Sequence, residues 1–261
     1  MTVIQAFRDG IRRVHRAPAV LLGVWLLALL VSPPVGLTAP TIDPFLEVHR
    51  PGMLASAGTA YIVLWLFLSG GIIDRYARDR ATRAHGFFGA SGVFFFRFLR
   101  LALVFGVVYW LVDALSPGLT SDMRDVVFGG LVAACTLIVD YAQVRAVVED
   151  RRSVIGAIGA SVSFVRHAPA TLALHGLDLG LLLLLRAGYA VVAPAMSGAW
   201  PGLAIGQGYL LARLWLRLVF WASETALFQS RFAHAGYVAA PMATWPESPA
   251  AEAFRNSKLK S

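Results

Sequence analysis

Residues 14–19 read VHRAPA and residues 165–170 read VRHAPA. Each copy closes an amphipathic stretch and opens a long apolar run. Before the first copy, Val3, Ile4, Phe7, Ile11 and Val14 recur at helical spacing, with Arg8, Asp9, Arg12 and Arg13 between them. That is the pattern of a basic amphipathic helix suited to the headgroup plane of a bilayer. Before the second, Val154, Ile155, Ile158, Val162 and Val165 do the same. Proline suits the start of the helix that follows, where its missing N–H has no partner to lose. The neighbouring Arg/His pair can snorkel to phosphates. The phrase therefore predicts a corner between a helix on the membrane and a helix through it.

Working outward, apolar runs cover 17–37, 53–73, 98–114, 126–144, 171–192 and 203–228. Each reaches the roughly 17–25 residues that cross about 30 Å of hydrocarbon as a helix. Of the 261 residues 57% are hydrophobic and only 15% charged, with mean hydropathy +0.66. So few charges cannot clothe a soluble domain. The reading is an all-α integral membrane protein of six transmembrane helices, with 1–237 as one domain. The Pro/Ala-rich stretch 238–261 reads as a disordered cytoplasmic tail. A cleaved signal peptide is the rival reading of the N-terminus. Against it, Leu37 stands three residues before the natural cut after Ala39, and the second copy of the phrase opens an internal run.

A third, weaker lead-in lies between the two copies. GFFGASGVFFFRFLR, residues 86–100, is a short aromatic segment ending in Arg before the third run, without the proline. The even runs also end alike: IIDRYARDRA from Ile72 and IVDYAQVRA from Ile138, with Glu224 and Arg231 as a faint echo. The chain thus reads as three units, each an interfacial helix followed by a transmembrane hairpin. This pattern resembles the bacterial six-helix inner-membrane proteins that include the membrane domain found with some glycerophosphodiester phosphodiesterases. The resemblance rests on the basic amphipathic lead-in, the Arg/His-x-Pro corner and the paired spans, over most of residues 2–235. It implies architecture and no chemistry, since no counterpart of the phosphodiesterase domain is present.

The net charge of +8 orients the chain and does not point to nucleic acid. Arg8, Arg12, Arg13 and Arg16 precede the first run. Arg75, Arg78, Arg80, Arg83, Arg97 and Arg100 lie between the second and third, and Arg145, Arg151, Arg152 and Arg166 between the fourth and fifth. Arg231, Arg255, Lys258 and Lys260 follow the sixth, whereas the opposite loops hold Arg50 and Arg124 alone. This is a positive-inside pattern with both termini cytoplasmic. The preference for Arg over Lys, with richness in Ala and Gly, reads as a GC-rich bacterial genome, which places the protein in a bacterial cytoplasmic membrane.

Ionisable residues at membrane depth are costly and mark the default functional candidates. They form a candidate intramembrane polar site of Asp140, His175, Asp178, Arg213, Arg217 and Glu224, with Asp113 and Arg186 as a candidate outer pair. At about 1.5 Å of rise per residue, Asp140, His175 and Arg217 fall near 9 Å from the inner boundary. Asp178 and Arg213 fall at roughly 14 Å from it, and Asp113 and Arg186 within about 8 Å of the outer one. The bland reading is neutralising pairs that fix helix rotation. The sharper one is a pathway or pocket between helices five and six, where Arg217 beside Trp215 and Trp221 suits a phosphate headgroup.

Catalysis has little behind it. His175 and Asp178 at i, i+3 lack a metalloprotease-type motif, and no phosphate-cradling glycine signature occurs. One cysteine, Cys135, excludes an intrachain disulfide and a cysteine-built metal site. The mixed-sign VEDRRS, 148–153, reads as a solvated face. The functional expectation is a non-enzymatic membrane-organising, sensing or scaffolding protein. It uses no cofactor or metal, and its partners are the bilayer and anionic lipid headgroups. The alternative is a transporter or a lipid- or anion-handling protein that uses the charged face of helices five and six.

Overall fold

The computed structural model describes residues 1–31, 55–79, 83–115, 121–195 and 199–231. Among them are eight α-helices and no strand: α1 (Val3–His15), α2 (Pro18–Val31), α3 (Ala55–Arg78), α4 (Ala84–Leu115), α5 (Ser121–Val148), α6 (Val154–His167), α7 (Pro169–Val192) and α8 (Ala199–Arg231). Four stretches within α4, α5, α7 and α8 are long and apolar enough to cross a membrane: Ala84–Val112, Val126–Val148, Pro169–Val192 and Trp200–Arg231. The described residues fold as helices throughout, and the chain has the make-up of a membrane protein. The tail 238–261 lies outside the described residues.

The twice-written phrase makes the same corner twice. Thr2 and Gln5 form a capping box that starts α1. The helix stops at the phrase, and Pro18 opens α2; Pro169 likewise opens α7 directly after α6. In each copy the alanine before the proline is buried, Ala17 and Ala168 alike. Its carbonyl accepts from the N–H three residues on, Val20 in one and Thr171 in the other, at 3.0 and 2.9 Å. The segment 86–100 behaves differently. It runs straight into the apolar run 98–114 as part of one 32-residue helix, α4. Without a proline, nothing in it interrupts the ladder of backbone hydrogen bonds.

The centre of the molecule is made by α3, α5 and α8, which pack against one another. Around them α2 lies on α8 and α3, α4 on α3 and α5, and α7 on α8. Each lead-in then seats on a central helix: α1 on α8, the first half of α4 on α3, and α6 on α5. Small residues set these distances. A methyl on Gly10 would run into the Ser223 hydroxyl and come to 2.6 Å from the Val219 carbonyl. One on Gly71 would meet the Ser91 hydroxyl and approach the Phe87 carbonyl to 2.7 Å. Ala157 and Ser161 are the buried small residues of α6, and Ala157 packs with Ala142 of α5.

The amphipathic face of α1 is thus turned onto protein. Ala6, Gly10 and Val14 are buried, Phe7 and Ile11 pack against the core, and Ile4 points outward. Helix α6 repeats this, with Ala157, Ser161 and Phe164 inside and Ile155 outside.

Burial is polarised along the bundle. It covers Leu66–Ala77 of α3, Tyr141–Val148 of α5 and Leu214–Phe228 of α8 almost without break, and one face each of the first half of α4 (Ala90, Ser91, Phe94, Phe98) and of the start of α7 (Thr171, Leu174, His175, Asp178). All of these lie at the end that carries most of the arginines, called here the basic end. The opposite halves expose apolar side chains such as Val107, Trp110, Val126, Leu183, Leu184, Val191 and Trp200.

The basic end is tied by charge and backbone. Arg13 donates to the Tyr76 carbonyl at 2.7 Å and to Gln229 at 3.1 Å, and Gln229 in turn donates to the Ala77 carbonyl. These bonds satisfy the last turn of α3, whose carbonyls have no partner within the helix. Two aspartates follow central helices in the left-handed region, Asp79 at φ 44° and Asp150 at φ 49°. Each receives an arginine from a lead-in, Arg16 at 3.0 Å and Arg97 at 2.6 Å. The VEDRRS stretch is therefore partly engaged: Asp150 holds Arg97, and Glu149 pairs with Arg145 and Arg151.

Candidate functional site

Three helices bring the polar cluster together. On α8, Arg217, Trp221 and Glu224 are spaced at four and three residues, which puts them on one face. On α5, Asp140 is fully buried. On α7, His175 and Asp178 share a face one turn apart and are also buried.

The Arg217 guanidinium donates from both terminal nitrogens to Asp140, at 2.9 and 2.6 Å. A planar fork matched to a carboxylate is the strongest arrangement available to such a pair. Trp221 donates its indole N–H to the same Asp140 oxygen at 3.2 Å. Its ring also lies 4.7 Å from the Arg217 guanidinium, within cation–π range. Trp65 of α3 stacks on the far side of Trp221, at 5.2 Å between ring centroids. The carboxylate is thus held by two donors, and the guanidinium by a carboxylate and an aromatic face. Asp178 and Glu224 lie within electrostatic reach of Arg217 and Asp140, and so does His175. His175 makes no hydrogen bond of standard geometry, although its ring lies near the Ala133 carbonyl; Glu224 leaves Oε2 without a donor.

The structure therefore gathers five of the candidate residues, Asp140, His175, Asp178, Arg217 and Glu224. Arg213, one turn earlier on α8, is half-buried. Arg186 is exposed on α7, and the Asp113 side chain lies outside the described residues. Trp221 is enclosed in the bundle and acts as a donor to Asp140, whereas its sequence position suggests the interface. The i, i+4 spacing from Arg217 is the signal that could have revealed this. No family model, curated protein or solved structure matches the chain.

Proposed function

We propose that this is a non-enzymatic, six-span protein of a bacterial cytoplasmic membrane. Both termini are cytoplasmic, and the protein organises the leaflet around its basic end by binding anionic headgroups. Its three units, each a lead-in helix and a hairpin, close into a ring. Every lead-in seats on the second span of the preceding unit, and α1 seats on the last. The likeness to the membrane domain found with some glycerophosphodiester phosphodiesterases belongs to this proposal as architecture alone.

The observation that carries the reading is the polarised burial. Eight helical segments crowd the basic end, while the far halves of the spans bury fewer side chains and show leucine, valine and tryptophan outward. Such a body is wider in one leaflet, and around that wide end Arg8, Arg100 and Arg166, one from each lead-in, are exposed. A lysine or arginine near an anionic surface contributes about 1 kcal/mol of attraction. The polar cluster supports this reading over anion handling, because the Arg217 fork is already filled by Asp140.

The test is retention of phosphatidylglycerol through purification, read by native mass spectrometry. Wild type is expected to keep it, and a variant with Arg8→Gln, Arg100→Gln and Arg166→Gln to lose most of it while still folding. Equal retention by both sinks the headgroup role. Cleavage of the C-terminal tail by added protease in inside-out vesicles, and not in right-side-out ones, checks the orientation.

A further inference from the structure

Full ionisation of the polar cluster would set three carboxylates, Asp140, Asp178 and Glu224, against one guanidinium. Arg217 commits both terminal nitrogens to Asp140. Glu224 is 1% exposed and its Oε2 meets no donor. Asp178 is buried within reach of it, and His175 is 6% exposed, its ring near the Ala133 carbonyl but in no hydrogen bond of standard geometry. Both acids lie within reach of Arg217, whose fork is taken by Asp140, and a buried carboxylate that must share a counterion in this way is costlier to ionise than one in water. Two such groups within reach of one another and of an imidazole hold a proton between them, and they titrate as a set.

The approach to this site is also visible. Around the ring, the first span of a unit packs on the second span of the unit before it: α2 on α8, and α4 on α3. The third instance, α7 on α5, is missing beyond slight contact. The cluster sits between those two helices and α8, with its carboxylates and His175 buried and the Arg217 side chain 24% exposed.

We infer that His175, Asp178 and Glu224 form a buried proton-binding site, approached through the seam between α5 and α7. The groups within electrostatic reach of Glu224 are Asp140 and Tyr141 from α5, Asp178 from α7 and Arg217 from α8 itself, with His175 in reach of Asp140 and Arg217. The described stretch of α2 has no titratable residue. Helix α3 brings Trp65 to this level, with its charged residues at the basic end. Helix α1 brings Phe7 against Phe220 and His15 over Trp215; the 215 position lies on the opposite side of α8 from 217. No three His, Cys, Asp or Glu groups among the described residues are placed to hold a metal ion. A proton needs neither that convergence nor a cavity.

The experiment is infrared spectroscopy of the full chain in lipid nanodiscs at neutral pH, with deuterium exchange to identify protonated carboxyl groups. Acids in contact with water are ionised there and are silent in that region. Wild type is expected to show a protonated carboxyl band that shifts in heavy water. The band should fall by about one carboxyl in Glu224→Gln or Asp178→Asn and persist in Glu149→Gln. Absence of the band from wild type overturns the proposal without recourse to any variant. So does a band unchanged in both Glu224→Gln and Asp178→Asn.

Discussion

At the scale of single residues, the Asp140–Arg217 pair decides how α5 and α8 are rotated against each other. Removing one partner leaves the other charge uncompensated in low dielectric, at a cost of about 3–5 kcal/mol. Removing both leaves two apolar side chains in a site already lined by Trp221 and Trp65. Thermal unfolding in detergent should therefore show large losses for Asp140→Leu and for Arg217→Leu, and recovery of most of the loss in the double variant. Additive losses would mean that the two residues do not interact. The depth count along the sequence brings Asp140 and Arg217 to one level, because rise per residue is nearly constant in a helix. It carries no information on which helices are neighbours. That is why Trp65 and the role of Glu224 beside the pair are not legible: each depends on contact across helices far apart in sequence.

At the scale of elements, small residues govern the lead-ins. The spacing of Val3, Ile4, Phe7, Ile11 and Val14 gives α1 and its amphipathic character. Its apolar face reads equally well as lipid-facing or protein-facing. Gly10 settles the matter in the structure, since its lack of a side chain lets α1 close onto Val219 and Ser223. Gly23 on α2 has nothing within 4 Å of where a methyl would sit. Gly10→Ala should accordingly cost about 1–3 kcal/mol through overpacking. Gly23→Ala should be neutral or stabilising by up to about 1 kcal/mol through helix propensity. Equal effects at the two positions, measured by thermal unfolding, would contradict the close seating of α1. The corner itself is legible because proline acts locally at a helix start. The fusion of 86–100 with the apolar run 98–114 is legible only in hindsight, from the absence of any such breaker.

At the scale of the whole molecule, the helical class and the membrane-like composition follow from hydropathy alone, because the bilayer imposes length and apolarity on anything that crosses it. The polarised burial does not follow, since hydropathy treats lipid and protein neighbours alike. What organises the bundle is the seating of each lead-in on a central helix, and three aromatic contacts report it: Phe7 with Phe220, Phe67 with Phe95 and Tyr141 with Phe164, at ring-centroid distances of 5.7, 6.1 and 5.3 Å. The most direct test places cysteine pairs at these positions in a Cys135→Ser background, bridges them in native membranes with a short bis-maleimide and reads intramolecular cross-links by gel mobility. The account predicts that all three pairs, F7C/F220C, F67C/F95C and Y141C/F164C, cross-link within one chain. A pair that stays open in folded protein while the other two close would contradict the ring of seated lead-in helices.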